Sequence, residues 1–279
     1  MKTNSSLGSR MKQYESVPKI YLTAGIPKVI RLDMRSGHTF CKKLKKPFDD
    51  IFSYAMIETA KKLCSSISGA VMAYTQSDEI SVVLNDVTPE GNLTSFFDGN
   101  VEKITSLSAS IATLAFNKAY AEAVEKQDKE TADIHKKNLW NAQFDSRVFC
   151  LPNAEELHNY ILWRQQDATR NSIQMVGHAN FTNKEMHKKN TSQIQDMLML
   201  QKGINWNDFP IKYKRGALIV KEKYQKEAKD KDGNPIKVMR SRWVEYDIPI
   251  LTKDTEIIEK LYARCYLVKG AIVHIQEEL

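Results

Sequence analysis

Two β-prone runs between residues 70 and 84, AVMAYT and ISVVL, are separated only by the polar tetrapeptide QSDE. A connection this short joins antiparallel neighbours, because a parallel pair needs a crossover of a dozen or more residues. The sequence therefore predicts a β-hairpin with Asp78 and Glu79 at the junction of its strands. Two adjacent carboxylates at such a junction repel each other and call for a neutralising partner or solvent.

The segments that flank this hairpin alternate between strand and helix patterns. The strand run PKVIRLDM precedes a segment of helical apolar spacing, with Pro47 suited to its start and Gly69 to its end. A second helical segment follows the hairpin, with Asn100 as its N-cap, and the strand DSRVFCL comes next. The order β-α-β-β-α-β predicts an α+β fold of the ferredoxin-like type, with helices on one face of a four-stranded sheet and the other face open to a ligand.

The second half of the chain, after Pro152, is predicted to add helices and a C-terminal β-hairpin. Helical patterns begin at Asn153 and recur in TNKEMHKK, TSQIQDMLMLQKG and DTEIIEKLYA. The strands ALIVKEKY and RWVEYDIPIL flank the turn sequence KDKDGNP. We predict a polar tail over residues 1–20, a core over 21–152, and a helical and basic hairpin region over 153–279 that packs on the core as one compact domain.

The positive charge of the chain is concentrated in one segment. The net charge is +7, and the segment Lys212–Arg242 contains eleven Lys or Arg residues against four acidic ones. A local basic excess predicts a polyanionic partner such as RNA, and a solvated Lys/Glu hairpin is the alternative. The candidate RNA contacts in this segment are Lys214, Arg215, Lys226, Lys229, Lys231, Lys237, Arg240 and Arg242.

Several classes of protein are disfavoured by the composition. No apolar run reaches about 18 residues, so no transmembrane helix is expected. The N-terminus lacks the apolar stretch of a secretory signal. The four cysteines have no CxxC spacing and the histidines no HExxH pairing, which disfavours zinc and indicates reduced thiols in a cytoplasmic protein.

Carboxylates at two strand ends predict a metal site. Asp33 ends the first strand and Asp78 lies in the hairpin turn, and the first and third strands are neighbours in a βαββαβ sheet. Close carboxylates favour a bound cation, and hard oxygen ligands suit two Mg²⁺ ions that act in phosphoryl transfer. Glu79 is a weaker candidate ligand, because successive strand residues point to opposite faces. For Asp78 the alternative is an ordinary turn acid.

The residues around Asp33 suggest a phosphate-binding loop. Successive backbone N–H groups near Gly37 could cradle a triphosphate, and Lys46 and Asp49 open the next helix, whose N-terminus favours anions. The loop matches neither the Walker A nor the GxGxxG pattern. The candidate nucleotide contacts in the loop are Arg31, Arg35, Ser36, Gly37 and His38.

Six motifs in order resemble the tRNA-His guanylyltransferase superfamily. They are RLDMRSGHTF, KPFD, YTQSDEIS, FDSRVF, WRQQDATRNS and YKRG, spread over residues 27–220, about two-thirds of the chain. The resemblance implies a polymerase-type palm that adds nucleotides in the 3′-to-5′ direction. It also implies two Mg²⁺ ions, tRNA as acceptor, ATP and GTP or other nucleoside triphosphates as substrates, and a homotetramer.

The resemblance assigns roles to particular residues. Asp33 and Asp78 match the family's metal-binding aspartates, and Met34 stands where a family glycine lends its backbone carbonyl to the metal. The family usually has an aromatic residue where Gly37 stands. For Lys103 the alternative is an ordinary solvated lysine on a helix face. The implied nucleotide contacts are Arg35, Ser36, Gly37, His38, Lys46, Asp49, Ser77, Lys103 and Arg147.

One departure from the family pattern bears on the substrate. Enzymes devoted to tRNA-His carry His-Ile-Asn-Asn after WRQ-D, where this chain reads TRNS over residues 169–172, and Arg170 and Asn171 are assigned to RNA contact. This resembles the guanylyltransferase-like branch, so we predict template-dependent repair of tRNA 5′ ends after ATP-dependent activation. The alternatives are addition of G at position −1 of tRNA-His, a palm-type nucleotide cyclase, and an RNA-binding module without catalysis.

Overall fold

The computed structural model describes residues 6–229, 231 and 234–274. Residues 1–5 of the predicted tail, residues 230 and 232–233 of the predicted turn KDKDGNP, and residues 275–279 lie outside the described part. No helix in the described part is long and apolar enough to cross a membrane.

Within the described residues, eight strands form one sheet, with strand order β4-β1-β3-β2-β5-β7-β8 and with β6 paired to β5. Only the β5–β7 pair is parallel among the described strands. The predicted α+β class is therefore confirmed. The strands are β1 (Lys28–Met34), β2 (Ala70–Gln76), β3 (Glu79–Leu84), β4 (Phe144–Cys150), β5 (Ala217–Lys229), β6 (Pro235–Asp247), β7 (Tyr266–Val268) and β8 (Ala271–Val273).

The helices begin largely where capping side chains predict. Asn100 and Asn153 accept the backbone N–H groups of Lys103 and Glu156 and so cap α4 and α6, whereas α3 is capped by Asp49 rather than started at Pro47. The described helices are α1 (Leu7–Ser16), α2 (Gly37–Phe40), α3 (Asp50–Ser66), α4 (Val101–Val124), α5 (Lys129–His135), α6 (Ala154–Asn180), α7 (Asn183–Met186), α8 (Thr191–Lys202), α9 (Ile211–Arg215) and α10 (Ile257–Tyr262).

Both faces of the sheet are covered, so the expectation of an open face is wrong. Ile30 and Leu32 of β1 lie in the core formed with α3 and α4, while Val29 lies in a second core with residues of α6 and α10. The physical reason is visible in β2 and β3, whose buried residues run on without alternation, as expected for strands buried on both sides, whereas the second half of β1 alternates apolar residues with Arg31 and Asp33.

Other differences from the predictions concern short or edge elements. Part of the predicted polar tail forms α1, which buries none of its residues. The hairpin strands β5 and β6 are longer than predicted, at 13 residues each, and β6 ends at Asp247, so the IPIL that follows is not strand. Helices α2, α5 and α9 and strands β7 and β8 were not predicted, because elements this short carry too few residues for a periodic pattern.

Candidate active site

The hairpin turn brings Asp78 against the loop that follows β1. Ser77 adopts a left-handed conformation (φ 50°), and the backbone N–H of Met34 donates to the carbonyl oxygen of Asp78 at 3.0 Å. A Cβ atom added to Gly37 would lie 1.9 Å from Oδ2 of Asp78. The missing side chain at position 37 therefore makes room for the Asp78 carboxylate beside the end of β1.

We expect Gly37→Ala to lower the rate of the phosphoryl transfer predicted from the sequence about 100-fold, because the new methyl group must displace the Asp78 carboxylate by about 1 Å. Single-turnover rates would measure this loss, with thermal unfolding as the check on folding. Gly8→Ala is the matched control, since a Cβ there meets nothing within 4 Å. Wild-type turnover in a folded Gly37→Ala variant would show that the position of Asp78 is not critical.

Asp33 lies opposite Glu79 of β3 and Asp145 of β4 in the sheet register. Its Oδ2 atom is 3.1 Å from Nη2 of Arg147 and 3.4 Å from Nε of Arg31. The same atom is buried and lacks a hydrogen bond of good geometry among the described residues. Asp33 is therefore ion-paired with Arg31 and Arg147, through an oxygen that makes no hydrogen bond of good geometry, at the end of the sheet where the hairpin turns.

Glu79 is held between two arginines. Its carboxylate is 2.8 Å from Nη2 of Arg31 and 3.0 Å from Nε of Arg164, and Glu79 and Arg164 are 4% and 5% exposed. Burial raises the pKa of Glu79, against the opposing effect of Arg164 and Arg31. Both charge partners of Glu79 are therefore side chains of the protein, and its ion pair with Arg164 links β3 to α6.

The WRQQD motif of α6 continues this ion-pair network. Asp167 accepts from Nη2 of Arg164 at 2.6 Å and from Nδ2 of Asn171 at 3.3 Å, and it also pairs with Arg170. The guanidinium of Arg164 lies 4.1 Å from the centre of the Trp163 ring. Arg164 is a residue that the sequence analysis did not single out, although the motif that contains it was recognised.

A cavity of about 430 Å³ opens beside Asp78, between α3, α6 and α9. This volume lies in the range of small-molecule sites. Phe48 and Tyr213 stack against each other at its wall, with ring centres 4.6 Å apart, and neither was predicted as a site residue. The predicted residues that line the cavity are Gly37, His38, Lys46, Asp49, Ser77, Asp78 and Asn171.

Asp49 and Lys46 shape the cavity wall through contacts with the protein itself. Asp49 accepts from the backbone N–H groups of Phe52 at 2.8 Å and Lys45 at 3.2 Å, and lies 3.4 Å from Nε2 of the buried His135. Lys46 donates to the carbonyl oxygen of Cys41 at 2.9 Å.

Cys41 also lines the cavity. Burial raises the pKa of its thiol to about 12, and the nearby Asp78 carboxylate adds to this effect. The thiol therefore stays protonated at neutral pH and is a poor nucleophile.

Several predicted nucleotide contacts lie away from this cavity. Lys103 sits in the first turn of α4, with Nζ 5.9 Å from the centre of the Phe97 ring. Arg35 donates to Oε1 of Gln143 at 2.9 Å, and Arg147 pairs with Asp33 and Asp145. The residues that belong to the predicted set but do not line the cavity are Arg31, Asp33, Met34, Arg35, Ser36, Glu79, Lys103 and Arg147.

Apart from Asn171, which lines the first cavity, the predicted RNA contacts separate into three groups. Lys214 is only 8% exposed and donates to the carbonyl oxygen of Asn207, so its burial is at odds with a role in RNA contact. Arg170 and Arg215 line a second cavity of about 520 Å³ on the far side of α6. The exposed residues of the β5–β6 hairpin are Lys226, Lys229, Lys231, Lys237, Arg240 and Arg242, of which Arg242 pairs with Glu222 at 2.6 Å.

The residues at this site suit Mg²⁺. No group of three or more His, Cys, Asp and Glu side chains in the described ranges could hold a metal ion. Mg²⁺ does not need such a group, since it commonly binds through one or two carboxylates together with substrate phosphates and water. The Asp33 carboxylate, whose Oδ2 makes no hydrogen bond of good geometry, and the Asp78 carboxylate beside Gly37 supply the oxygens, and the cavity lined by Lys45, Lys46 and Lys212 leaves room for phosphates.

Comparisons with known proteins agree on one family. The family model described as "Thg1: tRNAHis guanylyltransferase" matches residues 8–152. The tRNA(His) guanylyltransferase of Schizosaccharomyces pombe is 30% identical over 234 residues, which cover 80% of this chain and 83% of that protein. A bacterial tRNA(His) guanylyltransferase (Thg1)-like protein in complex with ATP is 39% identical with a TM-score of 0.75, over 92% of this chain and 99% of that one. The corresponding structure with GTP is 36% identical with a TM-score of 0.69 and the same coverage.

Proposed function

This chain belongs to the tRNAHis guanylyltransferase (Thg1) family of nucleotidyltransferases, and from that premise we propose that it adds guanylate to the 5′ end of tRNA-His. The observation that carries the proposal is the family match together with Asp78 lining a cavity of nucleotide size. The names of the curated relatives support this activity better than the repair of truncated tRNA that the sequence pattern favoured.

We propose that the sheet of β4, β1, β3 and β2, with α3 and α4 on one face, serves as a polymerase-type palm. The strand order supports this assignment, because β1 and β3 are central and bring Asp33 and Asp78 to the same end. Residues 21–152 would form the catalytic core. The region over 153–279 would complete it, since β5 extends the sheet from β2.

The proposed reaction has two transfers. First, an oxygen of the tRNA 5′-monophosphate attacks the α-phosphorus of ATP, which releases pyrophosphate and leaves an adenylylated 5′ end. Second, the 3′-hydroxyl of GTP attacks the activated 5′ phosphorus and AMP leaves. The cavity residues Lys46, His38 and Ser77 would bind the triphosphate and offset its charge.

Asp33, Asp78 and the backbone carbonyl of Met34 are the groups that would hold Mg²⁺. When bound, the ions lower the pKa of the attacking hydroxyl and stabilise charge on the phosphates. Arg31 and Arg147 hold the Asp33 carboxylate at the end of the sheet. Glu79 pairs with Arg31 and would affect the Mg²⁺ site only indirectly, by holding Arg31 in place beside Asp33.

Two regions would contact RNA. The exposed lysines and arginines of the β5–β6 hairpin would pair with the phosphate backbone, and Arg170 with Arg215 would do so at the second cavity. We further propose a homotetramer, following the resemblance to the family, which a light-scattering mass would test.

A second candidate is template-dependent repair of 5′-truncated tRNA. It is favoured by the TRNS sequence over residues 169–172, where only Asn171 agrees with the His-Ile-Asn-Asn motif. In the structure, Ser172 accepts a hydrogen bond from Nε1 of Trp206 at 3.0 Å. Ser172 therefore joins α6 to the chain that follows α8. The 39% identity to a bacterial Thg1-like protein also supports this candidate.

A substrate comparison tests both candidates. tRNA-His without its extra G and tRNA-Phe without its first nucleotide are each incubated with ATP, GTP and Mg²⁺, with Asp78→Asn as the inactive control. We expect growth of tRNA-His by one nucleotide. Growth of the truncated tRNA-Phe alone would favour repair, and a cyclic nucleotide formed from ATP without RNA would overturn both candidates.

A further inference from the structure

The side chain of Gln76 ends in an amide that the protein leaves without a partner. Gln76 is the last residue of β2, is 9% exposed, and lines the cavity beside Asp78. Among the described residues, no hydrogen bond joins this amide to another protein group, and its atoms are not among the fully buried unpaired ones, so the amide is open to the cavity. An amide that is open to the cavity and has no protein partner is hydrated in the empty protein, and a ligand group can replace that water as its hydrogen-bond partner.

Three polar residues that line this cavity or face Gln76 across the hairpin are engaged with atoms other than its amide. The hydroxyl of Thr75 donates to the carbonyl oxygen of Glu79 at 3.0 Å, and Nδ2 of Asn171 donates to Asp167. Glu79, which faces Gln76 in the register of β2 and β3, is paired with its two arginines. These neighbours therefore leave the amide of Gln76 available to a bound molecule.

The position of Gln76 in the chain indicates which part of a nucleotide it would meet. It directly precedes Ser77 and Asp78, where the triphosphate and Mg²⁺ are proposed to bind. In a nucleotide the sugar lies between the phosphates and the base. A sugar hydroxyl both donates and accepts, and a glutamine amide offers the matching acceptor and donors.

We propose that Gln76 binds the 2′-hydroxyl of the nucleoside triphosphate and makes the site prefer ribonucleotides to deoxyribonucleotides. The inference rests on the proposed function, because that function places the triphosphate at Ser77 and Asp78. The rival ligand group is the edge of the base. The base is better accommodated where the aromatic rings of Phe48 and Tyr213 line the cavity, since stacking on aromatic rings is how proteins commonly hold a base.

A site built to bind a substrate hydroxyl discriminates strongly against the analogue that lacks it, because the buried protein group is then left unpaired. We therefore expect the wild-type protein to bind GTP at least about 10-fold more tightly than 2′-deoxy-GTP. Gln76→Leu should weaken GTP alone and bring the two affinities to near equality. Without nucleotide, Gln76→Leu should unfold close to the wild-type temperature, because the amide makes no hydrogen bond with the described residues.

Equilibrium binding of GTP, 2′-deoxy-GTP and ATP, each with Mg²⁺, tests the inference without RNA. Gln174→Leu is the matched control, because Gln174 lines the same cavity but is exposed, and its ratio of GTP to 2′-deoxy-GTP affinity should stay that of the wild type. Gln76→Met provides a second variant if Gln76→Leu folds poorly.

Three results would overturn the inference. The first is equal affinity of the wild-type protein for GTP and 2′-deoxy-GTP. The second is a ratio of GTP to 2′-deoxy-GTP affinity that stays at the wild-type value in both folded Gln76 variants. The third is a Gln76 variant that changes the ratio of GTP to ATP affinity instead of the ratio of GTP to 2′-deoxy-GTP affinity. If the folded wild-type protein bound none of the nucleotides, the proposed function itself would fail and the inference with it.

Discussion

Replacing Asp33 or Asp78 with asparagine is expected to lower the rate of nucleotidyl transfer about 1,000-fold and to leave the fold intact. Each carboxylate is proposed to hold Mg²⁺, and such an ion contributes several kcal/mol of charge stabilisation in the transition state, which corresponds to this factor in rate. The fold should persist because both side chains lie at the end of the sheet, outside its apolar cores. Single-turnover extension of tRNA, with circular dichroism of each variant, measures both effects.

Asp145→Asn is the matched control for this prediction. Asp145 lies opposite Asp33 in the register of β1 and β4 and also pairs with Arg147 at 3.1 Å, but it is exposed and was not proposed to hold a metal. Its loss should leave the rate close to that of the wild type. Equal losses in Asp33→Asn and Asp145→Asn would point to Arg147, not Mg²⁺, as the group that Asp33 serves.

Replacing Arg164 with methionine is expected to lower the free energy of unfolding by about 3–5 kcal/mol, because it leaves Glu79 buried with one of its two charge partners. This is a large part of the total stability of a typical domain. Urea unfolding at pH 7 measures the loss. The double variant Glu79→Gln with Arg164→Met should recover much of it, since no buried charge then remains unpaired.

The loss in Arg164→Met should also depend on pH. Burial already raises the pKa of Glu79, and removing Arg164 takes away a charge that lowers it. A carboxyl group whose pKa is raised in the folded state binds a proton on folding, so its unfavourable contribution grows as pH rises above the unfolded pKa of about 4.5. The variant should therefore be less destabilised at pH 5 than at pH 8.

Arg170→Met is the control for the charge change. Arg170 pairs with Asp167 in the same network, but it is exposed, and exposed ion pairs contribute only about 0–1 kcal/mol. If Arg170→Met and Arg164→Met cost the same, the network would not depend on the buried Glu79–Arg164 pair.

The parts of the site that local sequence signals determine could be predicted. The tetrapeptide QSDE between two β-prone runs led to the hairpin, and Asn100 and Asn153 led to the starts of α4 and α6. The pairing of β1 with β3 followed from the order of elements. The hairpin and the helix starts depend on a few neighbouring residues, and the strand pairing depends on the order of the elements.

Features that depend on distant parts of the chain could not be predicted in the same way. α6 covers the sheet face that was expected to be open, and its Arg164 meets Glu79 across 85 positions of sequence. From the sequence, Lys214 is expected to be exposed like the rest of the basic segment. In the structure it is buried, and its Nζ lies 5.9 Å from the centre of the Trp206 ring. Nothing in the sequence around Gln76 shows that its amide lacks a partner, because that depends on which groups its neighbours bind.

The central claim, addition of a nucleotide to the 5′ end of tRNA, is tested most directly by asking which end of the RNA grows. tRNA-His is incubated with ATP, Mg²⁺ and GTP labelled with ³²P at its α-phosphate, and the product is treated with phosphatase. If the 3′-hydroxyl of GTP attacks the activated 5′ end, the labelled phosphate stays at the new 5′ terminus, and phosphatase removes it. Label that resists phosphatase would lie in an internal phosphodiester bond, which would mean growth at the 3′ end and would contradict this account.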